Sequence, residues 1–192
     1  MRFVSIAAAC AVLAAPIAAS AYLQPGATAT DFTTQGALGG KVFTLKLKEA
    51  LKKGPVILYF YPAAFSPGCD IQAQAFAEAN DDFQKAGATV IGMSADPIDK
   101  LQKFSVEKCA SKFAVATAAP AVIKAYDVSF GPPRPNATPE QAARMAALTN
   151  RTSYVIAPNG KIVFAYSNQQ PREHISKTLE VVQQLKANGG KI

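Results

Sequence analysis

The chain has 192 residues, enough for one domain, and no internal repeat or low-complexity segment divides it. Hydrophobic residues make up 49% of it and the formal net charge is +7. The lysines are scattered (Lys41, Lys46, Lys48, Lys52, Lys53, Lys85, Lys100, Lys103, Lys108), with no strip of interleaved basic and aromatic residues. That pattern reads as a solvated basic surface and argues against a nucleic-acid partner.

Part of the hydrophobic fraction lies at the start. Met1-Arg2 is a short basic opening, residues 3–18 are almost all apolar, and Ala19-Ser20-Ala21 carries the small residues of a cleavage site. Residues 1–21 are therefore expected to be a secretory signal peptide, cut before Tyr22, with residues 22–192 as the folded domain. The apolar run is short for a membrane span, so no stable membrane insertion is expected after cleavage. Cys10 lies inside this run and would be discarded with it. Export points to the bacterial periplasm, with secretion as the alternative.

Residues 22–40 hold Pro25, Gly26, Gly36, Gly39 and Gly40 and read as loops with a hairpin. A short strand is predicted over 42–45 and a short helix over 46–51. Gly54-Pro55 breaks the chain before an apolar run, 56–61, that reads as a buried strand. Pro62 ends it, having no N–H to give to a ladder. Ser66 then has the character of a helix N-cap, with Pro67 at the first helical position. Ile71, Ala75, Ala79 and Phe83 recur at four-residue spacing and predict the inward face of one helix running to Gly87. A second apolar strand covers 88–94. The next helix is predicted over 97–112 with Asp96 as its cap, which puts Cys109 late on a helix and partly inward. A strand over 113–117 and a helix over 121–126 follow. Residues 130–139 hold Pro132, Pro133, Pro135 and Pro139 and form an excursion; Thr138-Pro139-Glu140-Gln141 then predicts a capping box for a helix to 148. Strands 152–157 and 161–166 are joined by the turn signal Pro158-Asn159-Gly160. A closing helix after Pro171 should turn Ile175, Leu179, Val182 and Leu185 inward. His174, near its start, reads as a surface residue, and no metal-binding cluster surrounds it. Alternating units followed by a hairpin imply an α/β fold with a mixed sheet flanked by helices, the thioredoxin-like architecture.

Cys69 falls in the first turn of the helix after Ser66. A thiol there meets unpaired backbone N–H groups and the positive end of the helix dipole, and both favour thiolate. The competing reading is a small buried hydrophobe. The stretch Pro62, Ser66, Cys69 resembles the signature of the peroxiredoxins: Pro, three residues, Thr or Ser, two residues, then the peroxidatic Cys. Leu58-Tyr59-Phe60-Tyr61-Pro62 with Ser66-Pro67-Gly68-Cys69 looks most like the Q-type branch, the bacterioferritin comigratory proteins. Asp31-Phe32-Thr33 resembles the opening segment of that family. Arg151-Thr152-Ser153-Tyr154-Val155-Ile156, followed by Pro158-Asn159-Gly160-Lys161-Ile162, resembles the strand-turn-strand that carries its active-site Arg.

The resemblance implies a thiol-dependent peroxidase that needs no cofactor and no metal. It assigns peroxide attack to Cys69 and transition-state donors to the Ser66 hydroxyl, the Arg151 guanidinium and backbone N–H groups around Gly68 and Cys69. Pro62 would shield the thiolate. Two positions depart from the family pattern. Gln72 stands where Glu is usual, keeping hydrogen-bonding capacity without charge. Gln74 stands where the commonest Q-type partner cysteine would be, whereas Cys109 matches another Q-type arrangement with the partner on the next helix. Cys109 is therefore the expected resolving residue, a thioredoxin-like or other thiol the expected reductant, and a monomer the expected form.

Thiolate fraction cannot supply the rate. A free cysteine with pKa about 8.5 is roughly 3% thiolate at pH 7. Lowering the pKa to about 6 gains roughly thirtyfold, or about 2 kcal/mol. The remainder must come from fixed donors aimed at the peroxide oxygens. Cysteine count leaves a second reading open, an exported thioredoxin-fold interaction or thiol-redox module with a permanent Cys69–Cys109 bridge. A disulfide reductase is disfavoured, because Cys69-Asp70-Ile71-Gln72 is not Cys-x-x-Cys.

Overall fold

The structure, a computed structural model, describes residues 22–132 and 135–190; the expected signal peptide and Pro133 lie outside the described residues. In chain order the elements are β1 (Thr33–Leu38), β2 (Lys41–Lys46), α1 (Leu47–Leu51), β3 (Val56–Phe60), α2 (Pro67–Glu78), α3 (Asn80–Lys85) and β4 (Thr89–Ser94). Then come α4 (Ile98–Glu107), β5 (Ala114–Thr117), α5 (Pro120–Ala125), α6 (Pro139–Ala146), β6 (Thr152–Ile156), β7 (Ile162–Ser167) and α7 (Glu173–Ala187). One sheet of seven strands runs in the order β2-β1-β5-β4-β3-β6-β7. β3 pairs parallel with β4, and β4 with β5, through helical crossovers. β3 also pairs antiparallel with β6, from Val56 opposite Ile156 to Phe60 opposite Thr152. This is the expected mixed sheet flanked by helices.

β3 is apolar throughout because both of its faces are buried. Its alternation sorts side chains into two cores. Ile57, Tyr59 and Tyr61 face α2, α3, α4 and α7, packing with Phe76, Phe83, Phe104 and Val182. Val56, Leu58 and Phe60 face the other way, with Leu47, Leu51, Ile123, Tyr126 and Tyr154. Phe76 stacks on Tyr59 with ring centroids 4.4 Å apart and is fully buried. Its truncation to Ala would cost about 3–5 kcal/mol. Gly92 on β4 makes room for this stack, since a Cβ there would lie 2.7 Å from the Tyr59 ring and hydroxyl.

Several expectations need correcting. The hairpin expected within 22–40 runs further along the chain, with β1 (Thr33–Leu38) paired to β2 (Lys41–Lys46). The single helix predicted after Ser66 is two: Ala79 (ψ 0°) ends α2, and α3 starts afresh at Asn80. Its inward face is Cys69, Gln72, Ala73 and Phe76, whereas Ile71 is 40% exposed. A spacing of four overshoots the helical repeat by about 40° each step, so a row of such residues winds off one face. α4 stops at Glu107, and Cys109 lies beyond it, fully buried. Asp96 does not cap α4; Pro97 holds the cap position. The capping box at Thr138 and Gln141 is present, but its helix ends at Ala146.

Candidate active site

The turn after β3 delivers Cys69. Tyr61 N–H still bonds Met93 O at 3.0 Å, and Pro62 then leaves the ladder, half-buried. The segment that follows is pinned by Asp96, whose Oδ2 accepts the Ala64 N–H at 2.6 Å and the Ser94 hydroxyl at 2.8 Å. Lys100 bonds the other oxygen at 2.7 Å. Ser66 has the extended backbone of an N-cap and Pro67 opens the helix, as expected. The Ser66 side chain makes no capping bond, however; its hydroxyl donates to Ala63 O at 2.9 Å. The Cys69 N–H is also engaged, donating to Ser66 O at 2.9 Å.

Arg151 arrives from the opposite side of β3. It precedes β6, and its carbonyl accepts Asn168 N–H at 3.2 Å. Thr149 Oγ1 donates to Tyr61 O at 2.7 Å, so the Arg-bearing and Cys-bearing segments are tied directly. The guanidinium is buried, with Nη2 3.5 Å from Cys69 Sγ and Nη1 donating to Gln72 Oε1. Gln72 thus orients Arg151 with a neutral acceptor, leaving the positive charge free to face the sulfur. Gly68 permits this approach, because a Cβ there would lie 3.0 Å from Nη2.

Cys109 belongs to the same buried core as Cys69, Tyr59 and Tyr61, and both thiols are free. Burial pushes the Cys109 thiol well above its ordinary range, with the Asp70 charge adding to it. Burial likewise raises the Tyr59 and Tyr61 phenols well above theirs, with Cys109 and Cys69 both contributing. The structure therefore brings Cys69, Arg151, Gln72 and Gly68 together and sets Ser66 on the same turn.

His174 corrects a further expectation. It is fully buried, with Nδ1 2.8 Å from Ser153 Oγ and Nε2 2.9 Å from Asn168 O. Desolvation lowers its pKa to about 4, so the ring is neutral at pH 7, with Nε2–H donating to Asn168 O and the Ser153 hydroxyl donating to Nδ1. It braces the two segments that flank Arg151. Neither Asp96 nor His174 carried a sequence signal for these roles, because the partners lie in distant elements.

Residues 25–165 match the model of the AhpC/TSA family. A curated relative from Oryza sativa subsp. japonica, named peroxiredoxin Q, chloroplastic, is 34% identical over 161 residues, which cover 83% of this chain and 67% of that protein. Its namesake from Sedum lineare is 33% identical over 162 residues, covering 84% of this chain and 78% of the relative. Among solved structures, peroxidoxin BcpB from Mycobacterium tuberculosis superposes with a TM-score of 0.71 at 26% identity, covering 85% of this chain and 99% of that one. With a charged Arg donor set against a buried cysteine in the first turn of α2, and with these relatives, the chain belongs to the AhpC/TSA family and stands among its Q-type peroxiredoxins.

Proposed function

We propose that the chain reduces hydrogen peroxide and organic hydroperoxides with Cys69 as the nucleophile and Cys109 as the resolving thiol. The observation that carries this is the Arg151 guanidinium, fixed by Gln72 and 3.5 Å from Cys69 Sγ. The Cys69 thiolate attacks the terminal peroxide oxygen, and the O–O bond breaks. The displaced alkoxide or hydroxide takes up a proton and leaves as alcohol or water. Charge grows on that oxygen, and Arg151 supplies a preorganised donor for it. The Ser66 hydroxyl would turn from Ala63 O to the peroxide, and Gly68 would offer its amide. Pro62 would limit water at the sulfur. Cys69 is left as a sulfenic acid, which condenses with the Cys109 thiol, forming the disulfide and releasing water. A thioredoxin-like dithiol then reduces the bridge.

Cys69→Ser should abolish thiol-dependent peroxide consumption; normal turnover by that variant would overturn the assignment. A Cys69–Cys109 disulfide should appear in a non-reducing peptide map after one equivalent of peroxide. A resolving thiol on the same chain needs no second copy, which supports a monomer; a single sedimenting species of one chain would check it. The N-terminal pattern supports export to the periplasm, although the named plant relatives are chloroplastic by name. No helix among the described residues is long and apolar enough to cross a membrane. N-terminal sequencing of the exported protein should begin at Tyr22.

A further inference from the structure

Asp70 follows Cys69, and Lys108 precedes Cys109. Lys108 Nζ lies 2.9 Å from Asp70 Oδ2, with 27% and 20% of the two side chains exposed. One ion pair therefore joins the immediate neighbours of the two thiols. It also suits both helices, with the acid in the first turn of α2 and the base at the C-cap of α4. The second carboxylate oxygen, Asp70 Oδ1, is buried without a hydrogen-bond partner. Beyond Cys109 the chain turns through Ala110 (φ 47°) and Ser111 (φ 56°), a left-handed pair that is costly for residues with a Cβ. The turn is held by Cys109 N–H to Phe104 O at 3.1 Å and Ser111 N–H to Ser105 O at 2.9 Å. Residues 110–111 are thus strained, yet the segment is tied to α2 through Lys108. The two sulfurs are not bonded, so at least one must move before a bridge can form.

We propose that the Asp70–Lys108 pair is a latch, and that its release sets the rate at which Cys109 reaches the oxidised Cys69. While the pair is closed, the turn at 110–111 stays folded and Cys109 stays buried. When it opens, backbone strain favours unwinding of the turn, and Cys109 is freed. Asp70 and Lys108 are positioning residues; the chemistry remains condensation of the sulfenic acid with the Cys109 thiol, with loss of water. The proposal rests on the reading of Cys109 as the resolving thiol.

The test uses the mature chain, with hydrogen peroxide as oxidant and stopped-flow readout of each step. Lys108→Met should leave the oxidation of Cys69 within about twofold of wild type and speed disulfide formation by about three- to tenfold, the range for a partly exposed pair. It should also hasten amide exchange over residues 108–112 in the reduced protein. Lys108→Arg should behave as wild type, and the swapped double variant Asp70→Lys with Lys108→Asp should restore slow resolution, which a merely structural role would not. Unchanged or slower resolution in Lys108→Met, with unchanged exchange, overturns the latch. Slower resolution in Asp70→Asn alone would mark Asp70 as the acceptor of the Cys109 proton and also overturn it. If the wild type forms no Cys69–Cys109 disulfide while Lys108→Met still exchanges faster, the resolving role fails, and with it any control of resolution by the pair.

Discussion

Cys69 and Cys109 are buried to the same degree in one core, and neither is bonded. Their electrical surroundings are opposite. Cys69 sits at the amide end of α2 with an arginine nitrogen 3.5 Å away. Cys109 sits past the carbonyl end of α4, where burial and the Asp70 charge both disfavour thiolate. Burial alone therefore says nothing of reactivity; the sign of the local field does. It also orders the chemistry. On the proposed mechanism Cys69 meets peroxide first, while burial and the Asp70 charge keep Cys109 protonated until its surroundings change.

The strongest way to break this contrast is to remove the cation. Arg151→Ala should lower the rate of Cys69 with peroxide at least a hundredfold, about 3 kcal/mol, in line with loss of a preorganised donor. Rapid-mixing kinetics on the reduced protein would show it, and an unaltered rate in a folded variant would refute the role. A comparable effect is expected on stability in acid. The His174 pKa is lowered in the folded protein to about 4, below its unfolded value of about 6.5. Its contribution is complete above pH 6.5 and is lost as pH falls to about 4, because the unfolded chain takes the proton first. The loss should reach about 3 kcal/mol. Urea titrations across that window should show the slope, and His174→Gln should flatten it. Iodoacetamide at pH 7.5 should label Cys69 well before Cys109, because burial and the Asp70 charge disfavour the Cys109 thiolate. Equal labelling of the two would dissolve the contrast. The smallest effect is expected for Gln72→Leu, which leaves Arg151 near the sulfur but unheld. Peroxide reactivity should drop about tenfold, the loss of one hydrogen bond to a charged group.

The parts of the molecule that were legible in its sequence are those fixed by local chemistry. β3, the Pro62 stop, the Ser66-Pro67 helix start and the Thr138–Gln141 box each follow from residues within a few positions. Cys69 was legible for the same reason, whereas Arg151 could be chosen only through the family resemblance, since it lies 82 residues away. What stayed hidden depends on tertiary contact. β1 has a weak strand pattern, and its Gly36 is placed by the Phe43 ring, 3.1 Å from where a Cβ would lie. The end of α4 is closed by Ala110 and Ser111 in left-handed conformations normally signalled by Gly or Asn. Asp96 carries the features of a cap, yet it bonds Ala64 across the fold. His174 looked like a surface residue because nothing near it in sequence announces Ser153 and Asn168 as partners.

The excursion before Arg151 is closed by a narrow neck. Ser129 bridges Thr149, Phe130 N–H bonds Leu148 O at 3.1 Å, and Asn150 N–H bonds Val128 O at 2.7 Å. The helix inside it, α6, buries none of its residues and is stabilised by its own capping box. Whatever lies beyond the neck is thus mechanically insulated from the guanidinium that follows it. Doubling the length of such a closed loop costs only about 0.6 kcal/mol in closure entropy. The neck therefore marks an insertion point at the exposed helix α6, where a peptide could be spliced while the register of β6 behind Arg151 is kept.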